Sequence, residues 1–167
     1  LDDAGPDPAD SVLFQTQVMF GYLRLSQKRF YDTMPFCRAF KDYDGEPLRL
    51  SEQKDANEFM AMLFDKLESS HESVNGLLRE HMGGSLVWTV ASTETAYRSE
   101  RVEPFYMITV DVKGKSSLEE SLELFVAEEM LTGDNKVQCT ITERKVDARR
   151  RCAIRQLPRT LILHMAR

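Results

Sequence analysis

Apolar positions in the first half of the chain recur at steps of three and four residues, which is the spacing of an amphipathic helix. Such a run follows Asp10 and Ser11, either of which can cap it, so we predict a helix over about residues 11–25. The clearest run follows Ser51, which we expect to cap the next long helix. Its apolar stripe consists of Ala56, Phe59, Met60, Leu63, Phe64 and Leu67.

Proline and glycine mark the connection between these two helices. Pro35 breaks the helical pattern ahead of the short segment FCRAF. The following residues, KDYDGEPLRL, contain Asp-Gly and Pro, which are turn signals, so we predict a loop over residues 41–50.

The period changes to two after residue 84. The segments SLVWTVAS and PFYMITVDV have the β-branched and aromatic content of strands, and TETAYRSERVE between them is predicted as a turn or hairpin loop. Capping-box spacing at Ser116 and Ser117 predicts a helix that stops at Gly133. Further strands are expected over about 136–142 and 152–166, the second interrupted by Pro158. Helices first and strands later indicate an α+β fold and not a doubly wound one.

The composition is that of an ordinary globular domain. With 167 residues, 42% hydrophobic and 29% charged, the chain is long enough for one domain or for part of a larger one. No apolar run approaches the roughly 20 residues of a membrane helix, so we expect no membrane partner. A net charge of -5 disfavours nucleic acid as the main partner.

Charge and cysteine content refine this picture. Basic residues concentrate from Arg144 to Arg167, and a solvated strand and loop surface is the simplest explanation. The opening LDDAGPDPAD has neither an initiator Met nor a signal-peptide pattern, so we expect the chain to be cut from a longer polypeptide. Three cysteines without framework spacing favour a reducing compartment. We therefore expect a cytoplasmic protein, with the nucleus as a second location.

Few residues are candidates for chemistry on spacing alone. Cys37 lies in TMPFCRAF without a glycine turn or helix N-terminus that would activate it, and Cys152 alternates with apolar strand positions. Both are expected to pack in a core. The histidines His71, His81 and His164 share no metal-ligand spacing with each other or with a cysteine. The chain therefore gives no support for a paired nucleophile and base.

Asp55 and Glu58 are the remaining candidates. They are three residues apart and so lie on one side of the predicted helix, near its N-terminal end. The helix dipole stabilises an acid in the first turn, and that role alone would account for Asp55. On local physics a solvated surface is therefore the simpler explanation, and a ligand-binding role is the alternative.

Several segments resemble the sequence boxes of one family, the ubiquitin-specific proteases, which are papain-like cysteine deubiquitinases. QKDANEF, residues 53–59, resembles the family's Gln-x-Asp-Ala-x-Glu-Phe box. Five further boxes follow in the family's order, in MGGSL, EPFYMITVDV, SSLEESLELF, LTGDNKVQC and KVDARRRCAIRQLPRTLILHMAR. The resemblance covers about residues 12–167 and is greatest to the very large fat-facets-like members.

Parts of the family pattern are missing. The family's nucleophile box, Asn-x-Gly-Asn-Thr-Cys, precedes its first helix, and its His and Asp/Asn boxes follow its last Arg; neither is present here. No cysteine of this chain is at the nucleophile position, and His164 matches a strand histidine of the family. The resemblance thus implies no catalytic residue among these 167, and we expect the chain alone to be inactive.

Many members of the family also carry a zinc ribbon built from two Cys-x-x-Cys pairs. The matching positions are Ser92 and Thr95 in the first pair, and Cys139 and Thr142 in the second. Tetrahedral zinc needs four good ligands, so we expect no metal and no other cofactor here. The finger hairpin would then be held by packing alone.

The family fold is a right hand of thumb, palm and fingers that grips ubiquitin. The resemblance implies a partial form of it, with thumb helices over about 1–80, then antiparallel fingers and part of the palm sheet over about 81–167. It also implies that Asp55 and Glu58 contact the arginines of ubiquitin's C-terminal tail, with Gln53 hydrogen-bonding nearby. The implied partners are ubiquitin and ubiquitinated proteins.

Three functions are compatible with the sequence. The first is part of a cysteine-type deubiquitinase that binds ubiquitin and, when intact, hydrolyses the peptide or isopeptide bond after its C-terminal glycine. The second is a non-catalytic ubiquitin-binding module or pseudoenzyme. The third is an α+β interaction domain that does not bind ubiquitin. We expect the first, because six boxes occur in the family's order. With that resemblance, Asp55 and Glu58 become candidates for recognition of the ubiquitin tail.

Overall fold

The computed structural model describes residues 7–49 and 51–166, and the chain divides into two compact units, Leu1–Gly76 and Leu77–Arg167. The α-helices are α1 (Val12–Leu25), α2 (Met34–Ala39), α3 (Ala56–Ser70), α4 (Glu72–Met82) and α5 (Leu118–Phe125). The strands are β1 (Gly84–Ser92), β2 (Arg98–Phe105), β3 (Met107–Asp111), β4 (Glu129–Leu131), β5 (Val137–Gln138), β6 (Lys145–Val146), β7 (Ala148–Gln156) and β8 (Ile162–Ala166). Helices therefore precede most of the strands, which confirms the α+β fold class.

The first unit is built from α1, α2 and α3. Ser11 caps α1 as predicted, because its hydroxyl accepts a hydrogen bond from the Phe14 N–H at 3.2 Å. Pro35 does not end a helix but lies in the first turn of α2, where its missing N–H would have had no partner. Within residues 7–49 and 51–166, no helix is both long and apolar enough to span a membrane.

Packing of α2 against α3 forms the core of this unit. Phe36, Phe40 and Met62 are buried together, and Phe59 packs its ring 5.1 Å from that of Phe40. Phe64 and Leu67 are also buried, and Leu63 packs against this core, so most of the predicted apolar stripe of α3 is confirmed. Ala56, at its start, is exposed instead.

The predicted start of α3 is wrong. Asp55 caps the helix, and Ser51 lies four residues before the cap. A carboxylate is a stronger acceptor than a hydroxyl and is further stabilised by the helix dipole, which explains why the chain uses Asp55. Residues 53–55 consequently stay outside the helix.

The second unit contains a four-stranded antiparallel sheet in the order β2-β1-β7-β4. Its register places Trp88 of β1 between Arg101 of β2 and Cys152 of β7. A separate pair, β3 and β8, is parallel, and β5 and β6 form a short antiparallel ribbon. The assignment of these parts to thumb, fingers and palm stays a prediction.

One face of the four-stranded sheet contributes to the core of this unit. Leu86 and Cys152 pack with Ile108 and Val110 of β3, and partly buried residues of α5 cover the cluster. Cys152 is 1% exposed and Cys37 packs against the helical core of the first unit, so the expected packing roles of both cysteines are confirmed.

Three elements of the second unit differ from expectation. The strand expected over about 136–142 is limited to Val137–Gln138, and residues 140–144 form a turn. The segment predicted as a hairpin loop contains β2, an edge strand that pairs only with β1. Its residues are mostly charged and exposed, as is common in edge strands, so the sequence shows no alternation of apolar and polar positions. The helix predicted to reach Gly133 ends at Phe125. Residues 129–131 instead pair with β7 as β4, so ladder hydrogen bonds replace helical ones.

Gly84 is a position at which a side chain cannot be added without rearrangement. A Cβ built there would contact the Phe105 ring and would lie 2.8 Å from the Gln156 carbonyl oxygen. We expect Gly84→Ala to lower the free energy of unfolding by about 1–3 kcal/mol because of this overpacking. Denaturant titration measures the change.

Gly76 in α4 provides the matched control, because a Cβ there would meet nothing within 4 Å. Gly76→Ala should stabilise the chain by up to about 1 kcal/mol through helix propensity. A Gly84→Ala variant as stable as the wild type would contradict the close packing of β1 at this point.

Candidate functional site

The N-terminal end of α3 is fixed by the Asp55 carboxylate. Asp55 Oδ1 accepts hydrogen bonds from the Asn57 N–H at 2.7 Å and from the Glu58 N–H at 3.3 Å. The Asp55 backbone is extended, with φ -67° and ψ 130°, as expected of an N-cap residue. The cap uses one carboxylate oxygen, and the side chain as a whole is exposed. The second oxygen accepts no hydrogen bond from the described residues.

Glu58 occupies the third position of the helix, one turn from Asp55. Its side chain is exposed, and within the described part of the chain no residue forms an ion pair or side-chain hydrogen bond with it. The two predicted acids thus come together at one helix end. They present carboxylate oxygens on the same side, the geometry that the i, i+3 spacing dictates.

Gln53 lies in the extended segment just before the cap. It is exposed, and its amide can both donate and accept hydrogen bonds. The cations nearest in sequence are occupied, since Glu52 pairs with Arg49 at 3.2 Å and with Lys54 at 3.8 Å. Arg49 and Lys54 therefore pair with Glu52, and the carboxylates of Asp55 and Glu58 have no ion-pair partner among the described residues.

An ordered acidic turn borders the same helix end. Asp42 Oδ1 accepts hydrogen bonds from the N–H groups of Asp44 at 3.0 Å and Glu46 at 2.9 Å. Lys41 and Pro47 form a bridge across the turn, and Gly45 has φ +82°, a conformation that favours glycine. The segment predicted as a loop is therefore a defined turn over the described residues 41–49.

A groove of 220 Å³ lies between this turn and α3. Its apolar lining includes Leu48, Phe59 and Met62, and its acidic lining includes Asp42, Asp44 and Glu58; Tyr43 and Lys54 complete it. Such a lining suits a long basic side chain, whose methylene groups can pack on the apolar part while its charged end meets a carboxylate. Sequence reasoning missed this groove, because only the tertiary fold brings the turn beside Glu58.

The cysteines and histidines form no catalytic pair within residues 7–49 and 51–166. His71 Nδ1 lies 2.8 Å from Ser73 Oγ, and His164 Nδ1 lies 3.3 Å from Thr109 Oγ1. Burial, with a smaller contribution from the Glu103 charge, raises the pKa of the Cys152 thiol and so favours its protonated form. None of these contacts provides a base for a thiol nucleophile.

The four positions expected to match a zinc ribbon lie on two facing turns. Ser92 Oγ accepts hydrogen bonds from the N–H groups of Glu94 at 3.0 Å and Thr95 at 3.1 Å. Cys139 Sγ accepts hydrogen bonds in the same pattern from the backbone N–H groups of Ile141 and Thr142. It also lies 3.6 Å from Thr95 Oγ1. The described residues contain no group of three or more His, Cys, Asp or Glu side chains arranged to hold a metal ion.

Polar contacts also hold this hairpin, contrary to the expectation of packing alone. The Thr93 N–H donates to the Asp147 carbonyl at 3.0 Å, and the Asp147 N–H donates to Glu94 Oε1 at 3.0 Å. Lys136 Nζ lies 3.3 Å from Asp147 Oδ1 in a half-buried ion pair. Backbone donors of the two turns therefore have partners, which packing by apolar groups could not supply.

Comparison with known proteins identifies similar chains. A family model described as ubiquitin carboxyl-terminal hydrolase matches residues 3–167. Ubiquitin carboxyl-terminal hydrolase puf of Drosophila melanogaster is 34% identical over 155 residues, covering 93% of this chain and 4% of that protein. For human ubiquitin carboxyl-terminal hydrolases 34 and 9Y, the identities are 31% and 34%, over 94% and 93% of this chain. The chain spans 4%, 4% and 6% of these three relatives.

The hydrogen bonds at Cys139 predict a pH-dependent contribution to stability. The Thr142 hydroxyl is the main cause, and Thr95 a further one, that lowers the pKa of the Cys139 thiol to about 7. A lowered folded-state pKa stabilises the fold above the unfolded pKa of about 8.5, and this contribution is lost as the pH falls through about 7. The free energy of unfolding of the wild type minus that of Cys139→Ser should therefore rise between about pH 6 and pH 9. Urea titrations of both proteins at several pH values measure it.

Cys152→Ser gives a comparison of opposite sign. Because burial raises the pKa of Cys152, its contribution is present at low pH and declines as the pH rises above the unfolded pKa. The free energy of unfolding of the wild type minus that of Cys152→Ser should therefore fall between about pH 6 and pH 9. A flat or falling profile for Cys139→Ser would show that its thiol is not stabilised as the thiolate.

Proposed function

Because this chain belongs to the ubiquitin carboxyl-terminal hydrolase family, we propose that it binds ubiquitin as part of a cysteine-type deubiquitinase. When intact, that enzyme would hydrolyse the peptide or isopeptide bond after ubiquitin's C-terminal glycine. Ubiquitin and ubiquitinated proteins are then its partners, in the cytoplasm and the nucleus. In this proposal the 167 residues supply recognition, and they do not hydrolyse the bond by themselves.

One observation carries the proposal, namely the two exposed carboxylates at the N-terminal end of α3. Asp55 and Glu58 are held in register by the helix and have oxygens that accept no bond from the described residues. A guanidinium group pairs with carboxylates through two parallel hydrogen bonds, so an arginine-containing tail matches this arrangement. The proposed ligand is the C-terminal tail of ubiquitin.

Electrostatics at a helix N-terminus could oppose such a ligand. The positive end of the helix dipole disfavours a cation by about 0.3–1 kcal/mol. Each exposed carboxylate contributes up to about 1 kcal/mol when it pairs with a guanidinium group, and two carboxylates are available here. The attraction to Asp55 and Glu58 therefore outweighs the dipole, and helix ends without acids would not bind a basic tail.

The groove beside Glu58 supports an extended ligand. Its volume of 220 Å³ and its apolar residues Leu48, Phe59 and Met62 can receive the aliphatic part of a tail side chain. Gln53, in extended backbone, can hydrogen-bond the tail backbone. The proposed site thus has a charged part at the helix end and an apolar part in the groove.

A non-catalytic ubiquitin-binding module is the second candidate. It is supported by the buried state of Cys139 and Cys152 and by the lack of a cysteine–histidine contact within the described residues. Both candidates share the same binding site. Turnover of a fluorogenic ubiquitin C-terminal amide by the full-length protein distinguishes them, because only the enzyme releases the fluorophore.

The binding prediction separates charge from helix capping. Asp55→Asn keeps an effective N-cap, so the free energy of unfolding should change by less than about 0.5 kcal/mol. Because the charge is lost, affinity for fluorescently labelled ubiquitin should fall about tenfold, and Glu58→Gln should have a similar effect. Fluorescence anisotropy and thermal unfolding of the same samples measure both quantities.

Two further variants complete the design. Asp55→Ala removes the cap as well as the charge, and should cost about 1 kcal/mol of stability in addition to affinity. Asp65→Asn removes an exposed acid from the same helix and should leave binding unchanged. Equal losses for Asp55→Asn and Asp65→Asn, or no binding by folded wild type, would contradict the proposed site.

A further inference from the structure

The exposed face of the four-stranded sheet in the second unit carries a row of arginines. Successive residues of a strand point to opposite faces, and paired residues of neighbouring strands point to the same face. The register places Arg98 of β2 and Arg149 of β7 on either side of Ala91, while Glu100 and Arg151 flank Thr89. We name this surface the arginine face, defined by Thr89, Ala91, Arg98, Glu100, Arg149, Arg151 and Ala153.

The arginine face is not part of the core. The intervening residues Leu86, Trp88 and Cys152 pack on the opposite side of the sheet. Arg98, Arg149 and Arg151 are all exposed. The sheet therefore has one side committed to the core and one side open to solvent.

Side-chain size makes a trough along the arginine face. Thr89, Ala91 and Ala153 are small and form the floor, while Arg98 stands on one side and Arg149 and Arg151 on the other. The trough has a volume of 490 Å³, and Glu128 also lines it. Exposed Val102 and Met130 lie in the same rows at its margins, being 46% and 51% exposed.

The charges in the trough are only partly compensated. Arg98 Nη2 lies 2.6 Å from Glu100 Oε1, and Arg149 Nη1 lies 3.7 Å from Glu128 Oε1. Exposed pairs of this kind contribute about 0–1 kcal/mol, so an incoming carboxylate can compete for them. Arg151 has no ion-pair partner among the described residues. The trough therefore carries a local positive charge, although the whole chain has a net charge of -5.

We propose that the arginine face docks an extended acidic segment of a partner protein. Carboxylates of such a segment would pair with Arg151 and with Arg98 or Arg149, and its apolar side chains would contact Val102 and Met130. This partner has the opposite charge to the basic tail assigned to Asp55 and Glu58. The inference therefore does not depend on the proposed ubiquitin-tail site.

The composition of the trough favours a peptide over a nucleic acid. Single-stranded nucleic acids stack their bases on aromatic side chains, and no residue that lines the trough is aromatic. Glu128 in the lining would also repel a phosphate backbone, whereas a peptide can place its carboxylates away from it. The margins formed by Val102 and Met130 suit an apolar peptide side chain.

A labelled peptide tests the proposal. A fluorescein-labelled extended peptide rich in Glu and Leu is titrated with the 167-residue chain, and anisotropy is read at low and at physiological salt. We expect binding that weakens with salt, and at least about tenfold weaker binding of the peptide in which every Glu is Gln. Arg151→Gln should weaken binding by roughly fivefold to tenfold, and Arg151→Lys, which keeps the charge but loses the planar fork, by less.

Arg159→Gln is the matched control, because Arg159 is an exposed arginine of the same unit that pairs with Glu80 at 2.7 Å and lies outside the sheet. It should leave peptide affinity unchanged, and thermal unfolding should show that both Arg151 variants remain folded. Equal binding of the Glu and Gln peptides, or equal effects of Arg151→Gln and Arg159→Gln, would overturn the proposal. Displacement of the labelled peptide by ubiquitin would also overturn the proposal. So would displacement by a single-stranded oligonucleotide at a lower concentration than the unlabelled peptide requires.

Discussion

Two hydrogen bonds from the first turn of α3 to Asp55 Oδ1 determine how the acidic end of this helix is presented. They fix the start of the helix at Ala56, and the packing of Phe59 and Met62 with Phe40 sets the rotation of the helix about its axis. The same rotation leaves Glu58 exposed beside the turn formed by residues 41–47. A slide of the helix by one residue against this core would rotate its side chains by about 100° and separate the Glu58 carboxylate from the groove.

Structural and recognition roles of Asp55 are therefore compatible. A carboxylate has two oxygens and about four lone-pair sites, and the cap uses one oxygen. Asp55 can therefore cap α3 and bind a cation at the same time. Glu58 differs, because it accepts no hydrogen bond from the described residues and its charge contributes to the fold only through the helix dipole.

The sequence predicted elements whose signal is local, and failed where the outcome depends on competition or on distant partners. The apolar stripe of α3 was sufficient to predict that helix, but its start depended on which of two capping residues accepts the first N–H groups. β2 has charged residues on both faces and gains its ladder only by pairing with β1, so no local pattern marks it. Equally, the parallel pairing of β3 with β8 joins segments that are more than 50 residues apart.

The candidate site shows the same division. The box from Gln53 to Phe59 was recognisable because its spacing is fixed by one helix, and family membership follows from that box and the others in order. The acidic turn and the arginine face could not be recognised, because each arises from residues that only the fold brings together. For the arginine face, the basic run in β7 indicates by itself only an ordinary solvated surface, and it is the register of β7 with β1 and β2 that aligns the arginines.

A charge-swap cycle tests most directly whether Glu58 meets a cation of the ubiquitin tail. Wild type and Glu58→Arg are each titrated with ubiquitin and with ubiquitin in which a tail arginine is replaced by Glu. The account predicts that each single change weakens binding and that the double change restores much of it, with a coupling energy of about 1.5 kcal/mol or more. Losses that add within about 0.5 kcal/mol would show that the two groups do not interact, and would contradict the central claim.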